Sequence, residues 1–112
     1  MATYDKAYEL ARVLKESDEY KEYQEAKRAV QENEAALSIL RDYQRKRLEY
    51  EMGLISGKEP DPSKKADLDK ISEIVVMHGP VKRFLAAEER VMLMMSDIQR
   101  ILTEALDLLE YS

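Results

Sequence analysis

Cysteine is missing from this chain of 112 residues. With it go disulfides, thiolate metal sites and cysteine nucleophiles, and the lack suits a reducing compartment. Histidine occurs once, which excludes the paired Glu-x-x-His motifs of a di-metal carboxylate bundle. Glycine and proline occur three times each, and five of those six residues lie between Gly57 and Pro80. Elsewhere almost nothing interrupts a helix. A basic excess is missing too: 18 Lys and Arg face 23 Asp and Glu, a net charge of -5. Direct DNA binding, whose affinity rests on cations neutralising phosphates, is therefore not expected. No run approaches the roughly 20 apolar residues of a membrane span. The opening MATYDKAYELARVLKE mixes charged and apolar residues too quickly for a signal peptide. A cytoplasmic protein with a single helical domain over residues 1–112 is the expectation.

What the chain does contain is charge and apolarity together, 37% and 45% of its residues, too apolar a mixture for disorder. Thr3 is placed to cap a first helix in which Ala7, Leu10, Ala11 and Leu14 follow helical spacing. Ser17, followed by Asp18 and Glu19, reads as the cap of a second helix with the thin stripe Tyr20, Tyr23, Ala26 and Val30. Asn33 can cap a third, from about Glu34 to Ser56, whose main stripe is Leu37, Leu40, Leu48, Met52 and Ile55. Gly53 inside it points to a close backbone contact or to fraying beyond it. Residues 56–63, SGKEPDPS, form the one clear loop. Asp61 then caps a fourth helix with Pro62 at its first position, and that helix stops near His78 and Gly79.

From Val81 to about Glu110 there is no glycine or proline. Leu85, Glu88, Met92, Met95, Gln99, Leu102, Leu106 and Leu109 alternate spacings of three and four, a heptad-like seam. Phe84, Val91, Ile98 and Ala105 run beside it. A helix of this length, roughly 45 Å, is long for a domain whose radius of gyration would be about 13 Å. Apolar on most sides, it must be covered on most sides. The expected fold is therefore an all-α, elongated antiparallel helical bundle of about five helices, two of them long, completed by oligomerisation. The expected oligomer interface is Phe84, Leu85, Val91, Met92, Met95, Ile98 and Leu102.

Chemistry-bearing constellations are few. His78 sits at a helix junction and reads as a helix-terminal residue. Glu88, on the apolar seam, reads as one half of a salt bridge to a facing Lys or Arg. No phosphate-cradling loop, nucleophile elbow or zinc spacing occurs. No catalytic, cofactor-binding or metal residue is assigned. Arg41, Arg45, Lys46 and Arg47 form a basic cluster among Asp42, Glu49 and Glu51, which favours a solvated face of i,i+4 pairs. Tyr4, Tyr8, Tyr20 and Tyr23 suit half-buried packing or a partner surface.

The order of these features resembles the YheA/YmcA-like family, also called the YlbF family, of small helical proteins from Gram-positive bacteria. The resemblance runs through YDKAYELARVLKESDEYKEYQEAK, Leu40-Arg41-Asp42-Tyr43-Gln44, Met52-Gly53, VKRFLAAEERV and the long helix that follows. It is closest to the YheA-like branch, for which no defined activity is implied. The resemblance implies long antiparallel helices and a homodimer or higher oligomer. Some relatives regulate competence, sporulation and biofilm formation in a complex that modulates ribonuclease Y and RNA processing. Regulatory relatives are associated with iron–sulfur clusters held partly by C-terminal cysteines. The ending LTEALDLLEYS has none, which sets the cluster and membership of that complex in question. The expected function is a non-enzymatic oligomeric adaptor or regulator that binds itself and a further protein partner. Two other classes stay open: an RNA-associated accessory factor using Arg41 to Arg47, and a small-ligand or metal-binding helical bundle.

Overall fold

The computed structural model describes residues 1–57, 59 and 61–107. Among the described residues there are five helices and no strand: α1 (Ala2–Glu16), α2 (Asp18–Gln31), α3 (Glu34–Ile55), α4 (Pro62–Met77) and α5 (Gly79–Leu106). Lys58 and Pro60 of the expected loop, and Leu108, Leu109 and Glu110 of the expected fifth helix, lie outside the described residues.

Three of the four breaks between helices are made by single polar side chains. The Ser17 hydroxyl donates to the Leu14 carbonyl (2.6 Å) and accepts from the Tyr20 N–H (3.2 Å). One hydroxyl thus closes α1 and opens α2, satisfying a donor and an acceptor that helix ends leave orphaned. Asn33 accepts from the Ala36 N–H at 3.0 Å to start α3. Asp61 accepts from the Ser63 N–H at 2.9 Å, with Pro62 opening α4. His78 joins α4 to α5 through its backbone: its N–H donates to Val75 and its carbonyl accepts from Lys82, both at 3.0 Å. Thr3 does not cap. Ala2 is a strong helix former, so α1 begins there and leaves Thr3 inside its first turn. Gly79 begins α5, which puts Pro80 in its first turn, where the missing N–H is not needed.

Two compact units are present. In the first, Glu25–Leu85, α2 contributes Ala26 and Val30 to the core, α3 Ala36 and Leu40, and α4 Ile71 and Val75, each 6% exposed or less. Val81 and Phe84, from the start of α5, are buried to the same degree. Here α3 and α4 pack as an antiparallel hairpin. The early residues Leu37 and Arg41 of α3 share a groove with Ile71 and Ile74 late in α4. Late residues Leu48 and Met52 share another with Asp61 and Lys64 at the start of α4. In the second unit, Met1–Gln24 with the described residues from Ala86 on, Ala87 is buried and α1 has no buried residue. The Tyr20 and Tyr23 rings lie 6.2 Å apart, and the Gln24 amide donates to the Tyr20 hydroxyl.

The two glycines near the C-terminal end of α3 differ. A methyl group added at Gly53 would meet no atom within 4 Å, so the expected close backbone contact is not there. Gly57, at φ +77°, sits just beyond α3 in the left-handed region that a side chain resists. Gly53→Ala should therefore raise stability by up to about 1 kcal/mol, and Gly57→Ala should lower it by about 1 kcal/mol. Asn33→Ala should cost about 1 kcal/mol through the lost cap. Urea midpoints at constant m-value check all three.

Asp61 adds a pH dependence. The Ser63 N–H and hydroxyl hold its carboxyl below the usual 3.8, against a smaller opposing effect of desolvation. A folded value below the unfolded one means that the stabilisation is full above about pH 4 and is lost as pH falls through the folded value. Asp61→Asn keeps a capping oxygen that does not titrate. Its urea midpoint should drop less than the wild type's between pH 7 and pH 3, and an equal drop would contradict this assignment.

Candidate interaction surfaces

The seven residues expected at an interface divide into three groups on α5. Phe84 is buried, 6% exposed. Leu85, Val91 and Ile98 are half-buried. Met92, Met95 and Leu102 are 63%, 46% and 54% exposed. The exposed three follow the heptad spacing, so they share one face of the helix. That face carries a shallow hollow of about 310 Å³ lined by Met92, Met95, Ser96, Ile98, Gln99 and Leu102. All six come from one helix. The hollow is shaped like the receiving side of a knobs-into-holes seam. Leu93 and Ile101, at 61% and 59%, are exposed as well, and neither belongs to the expected set.

Glu88 lies on the same face, half-buried. Its helical neighbours at three and four residues are Phe84, Leu85, Val91 and Met92, all apolar. No cation on its own helix is placed to pair with it. The salt bridge expected for Glu88 is absent among the described residues.

A second feature is the groove on the α3–α4 hairpin, about 770 Å³, whose lining includes Leu37, Arg41, Asp42, Arg45, Ile71 and Ile74. The basic cluster on its rim is largely neutralised from within α3. Asp42 pairs with Arg45 at 2.6 Å and Lys46 at 3.3 Å, and Glu51 pairs with Arg47 at 3.5 Å. Arg47 also lies over the Tyr43 ring, 5.8 Å from its centroid. Desolvation pushes the Asp42 carboxyl up, but the hydrogen bonds and charges of Lys46 and Arg45 together hold it below its usual value. The carboxylate therefore stays ionised and offsets the two cations. This arrangement is the solvated face of paired charges expected from the spacing, and it presents little net positive charge to a phosphate backbone.

His78 is half-buried, with its Nδ1 enclosed and without a hydrogen-bond partner. Tyr20 and Tyr23 are half-buried, while Tyr4 and Tyr8 are 63% and 69% exposed. Among the described residues, no three His, Cys, Asp or Glu side chains converge as metal ligands would. None of the described helices is long and apolar enough to cross a membrane.

Residues 3–107 match the family model Com_YlbF, described as control of competence regulator ComK, YlbF/YmcA. The chain belongs to this family. A UPF0342 protein of Halothermothrix orenii is 36% identical over 96% of this chain and 92% of its own length. The UPF0342 protein of Clostridium tetani is 34% identical over 96% and 92%. Neither relative's name is that of an enzyme. Among solved structures, a Bacillus stearothermophilus protein of unknown function (DUF964) superposes with a TM-score of 0.83 at 16% identity, covering 96% of this chain and 94% of that one. Bacillus subtilis RicA, crystallised in complex with RicF, gives 0.66 at 21% identity, covering 95% and 94%. At such identities the superpositions speak for the fold. The Com_YlbF fold is thus all-helical here as in its structural neighbours.

Proposed function

We propose that this Com_YlbF chain is a non-enzymatic cytoplasmic adaptor or regulator, acting through protein–protein contacts with a second copy of itself and with a different protein chain. The pathway we assign is control of competence, or a related programme of biofilm formation or RNA processing. The observation that carries the reading is the exposed apolar face of α5, with Met92, Met95 and Leu102 in helical register. Burying such a side chain fully is worth roughly 1.5–3 kcal/mol, so three of them aligned on one face favour a partner. Methionine suits the task because its flexible thioether adapts to different surfaces. Two findings on relatives support the assignment. The family description is control of the competence regulator ComK, and RicA, which shares the fold, is crystallised with another protein, RicF.

Light scattering tests self-association: at micromolar concentration the mass should be at least twice the 13.0 kDa chain. Met95→Glu places a charge where apolar burial is required. Because Met95 is 46% exposed within the chain, the variant should keep its helical circular dichroism while its self-association weakens at least about tenfold, roughly 1.4 kcal/mol. A wild-type monomer, or a Met95→Glu variant that associates normally, would remove the self-association half of the proposal. The other half is tested by pull-down from the native host, wild type against Met95→Glu. Protein partners retained equally by both would show that α5 is not the docking face.

A further inference from the structure

We propose that two copies pair antiparallel along α5 in the single register that sets Glu88 of each chain against Gln99 of the other. The inference rests on the self-association proposed above and specifies its geometry. Four successive seam positions of α5 are Glu88, Met92, Met95 and Gln99, two apolar residues flanked by two polar ones. Glu88 is half-buried, surrounded on its own helix by apolar neighbours and without an ion pair among the described residues. A carboxylate in that setting is short of donors, and a partner helix laid over the seam would take away its remaining water. Gln99 lines the hollow beside Met92 and Met95 and carries the amide N–H donors that a carboxylate accepts.

Antiparallel helices match seam positions in reversed order. Setting 88 opposite 99 therefore sets 92 opposite 95, and the two-fold axis falls between Leu93 and Met94. Each polar residue then meets a polar residue and each methionine a methionine. Both rungs repeat through the symmetry, as an isologous interface requires. The flanks agree with this register. On one side Val91 comes near Ile98 of the second copy, apolar against apolar. On the other Glu89 comes near Ser96, whose hydroxyl can donate to it.

The competing arrangements are worse. Parallel pairing puts Glu88 beside Glu88, two like charges in a closing seam. An antiparallel register one heptad away puts Glu88 opposite Leu106 and Gln99 opposite Met95, stranding both polar groups against apolar side chains. A polar pattern that satisfies itself under two-fold rotation identifies the occupant of this face as a second copy of the chain. Polar residues inside helix seams are known to select register in this way, at some expense of stability.

The chain's lack of cysteine makes the test free of background. In the full-length double variant E88C/Q99C, mild oxidation should convert most of the protein to a covalent dimer. The two positions lie about 16 Å apart along one helix, too far for a bridge within a chain. E88C alone and Q99C alone should each remain uncrosslinked, whereas an equimolar mixture of the two should crosslink. Association measured by sedimentation supplies a readout that keeps the polar rung. Q99E, which sets like charges together, should weaken self-association about tenfold or more, and E88K/Q99E should restore it to within about threefold. Crosslinking of E88C alone, or Q99E associating like the wild type, overturns the register. No crosslink in E88C/Q99C while the wild type is dimeric overturns it too and leaves the adaptor reading standing. A monomeric wild type overturns this proposal together with the self-association it rests on.

Discussion

Ala26 of α2 and Ala36 of α3 are wholly enclosed in the Glu25–Leu85 unit, and the largest fully enclosed side chains anywhere among the described residues are Val30 and Val81. Helix axes approach more closely where the side chains between them are small. Small side chains, however, bring little apolar area with them. The rest of the structure depends on this constraint. Leu40, Ile71 and Phe84 are enclosed nearly as well, but many of the other large apolar residues stay at the periphery. Met92, Leu93, Ile101 and Leu106 on α5, with Tyr4 and Tyr8 on α1, all retain more than half of their surface.

With so little enclosed, local interactions carry an unusual share of helix definition. Helix nucleation is costly, and most helical stability normally comes from tertiary packing. Here α1 has no buried residue, and its C-terminal end is closed by the Ser17 hydroxyl that also opens α2. Elsewhere charged side chains are spent along their own helices: Lys6 on Glu9, Arg45 and Lys46 on Asp42, Lys65 on Asp69. Exposed pairs of this kind contribute little to stability. Their larger consequence is for recognition, since a basic residue already matched on its own helix offers less to a phosphate backbone. Arg83 of α5 reaches across to Glu25 of α2 at 3.4 Å, and this pair too is solvent-exposed.

What could be read from the sequence follows the same division between local and distant forces. Ser17, Asn33 and Asp61 were legible as caps because capping involves residues two or three apart. Arg45, Lys46 and Arg47 were legible as paired because carboxylates lie one turn away. Thr3 misled because a cap is fixed by where helical backbone starts, and Ala2 already favours it. Gly53 pointed to a close approach or to fraying beyond it, and the close approach is absent because the second backbone that would make it is set by the whole hairpin. Among the seven α5 residues the spacing identified the shared face, but not that Phe84 would be claimed by the chain's own core. That choice is made by packing against other helices. Glu88 shows the limit most plainly. Its position on the seam was visible, whereas its lack of a cation depends on every element folded around it.

An adaptor built on one adaptable helix face has a consequence for how it would be regulated. On the proposed reading, Met92 and Met95 meet their counterparts in a second copy, so a different chain docking on the same residues must displace that copy. The two associations are then linked. A tighter self-pairing lowers the apparent affinity for the other partner by the fraction of chain held in the dimer. The Glu88–Gln99 rung would act on this balance. It adds little to the gross apolar burial of the face, but it discriminates between a copy that completes the rung and a partner that leaves a carboxylate unsatisfied. A foreign helix that competes well on α5 should therefore carry its own donor at the place where Gln99 of the second copy would stand.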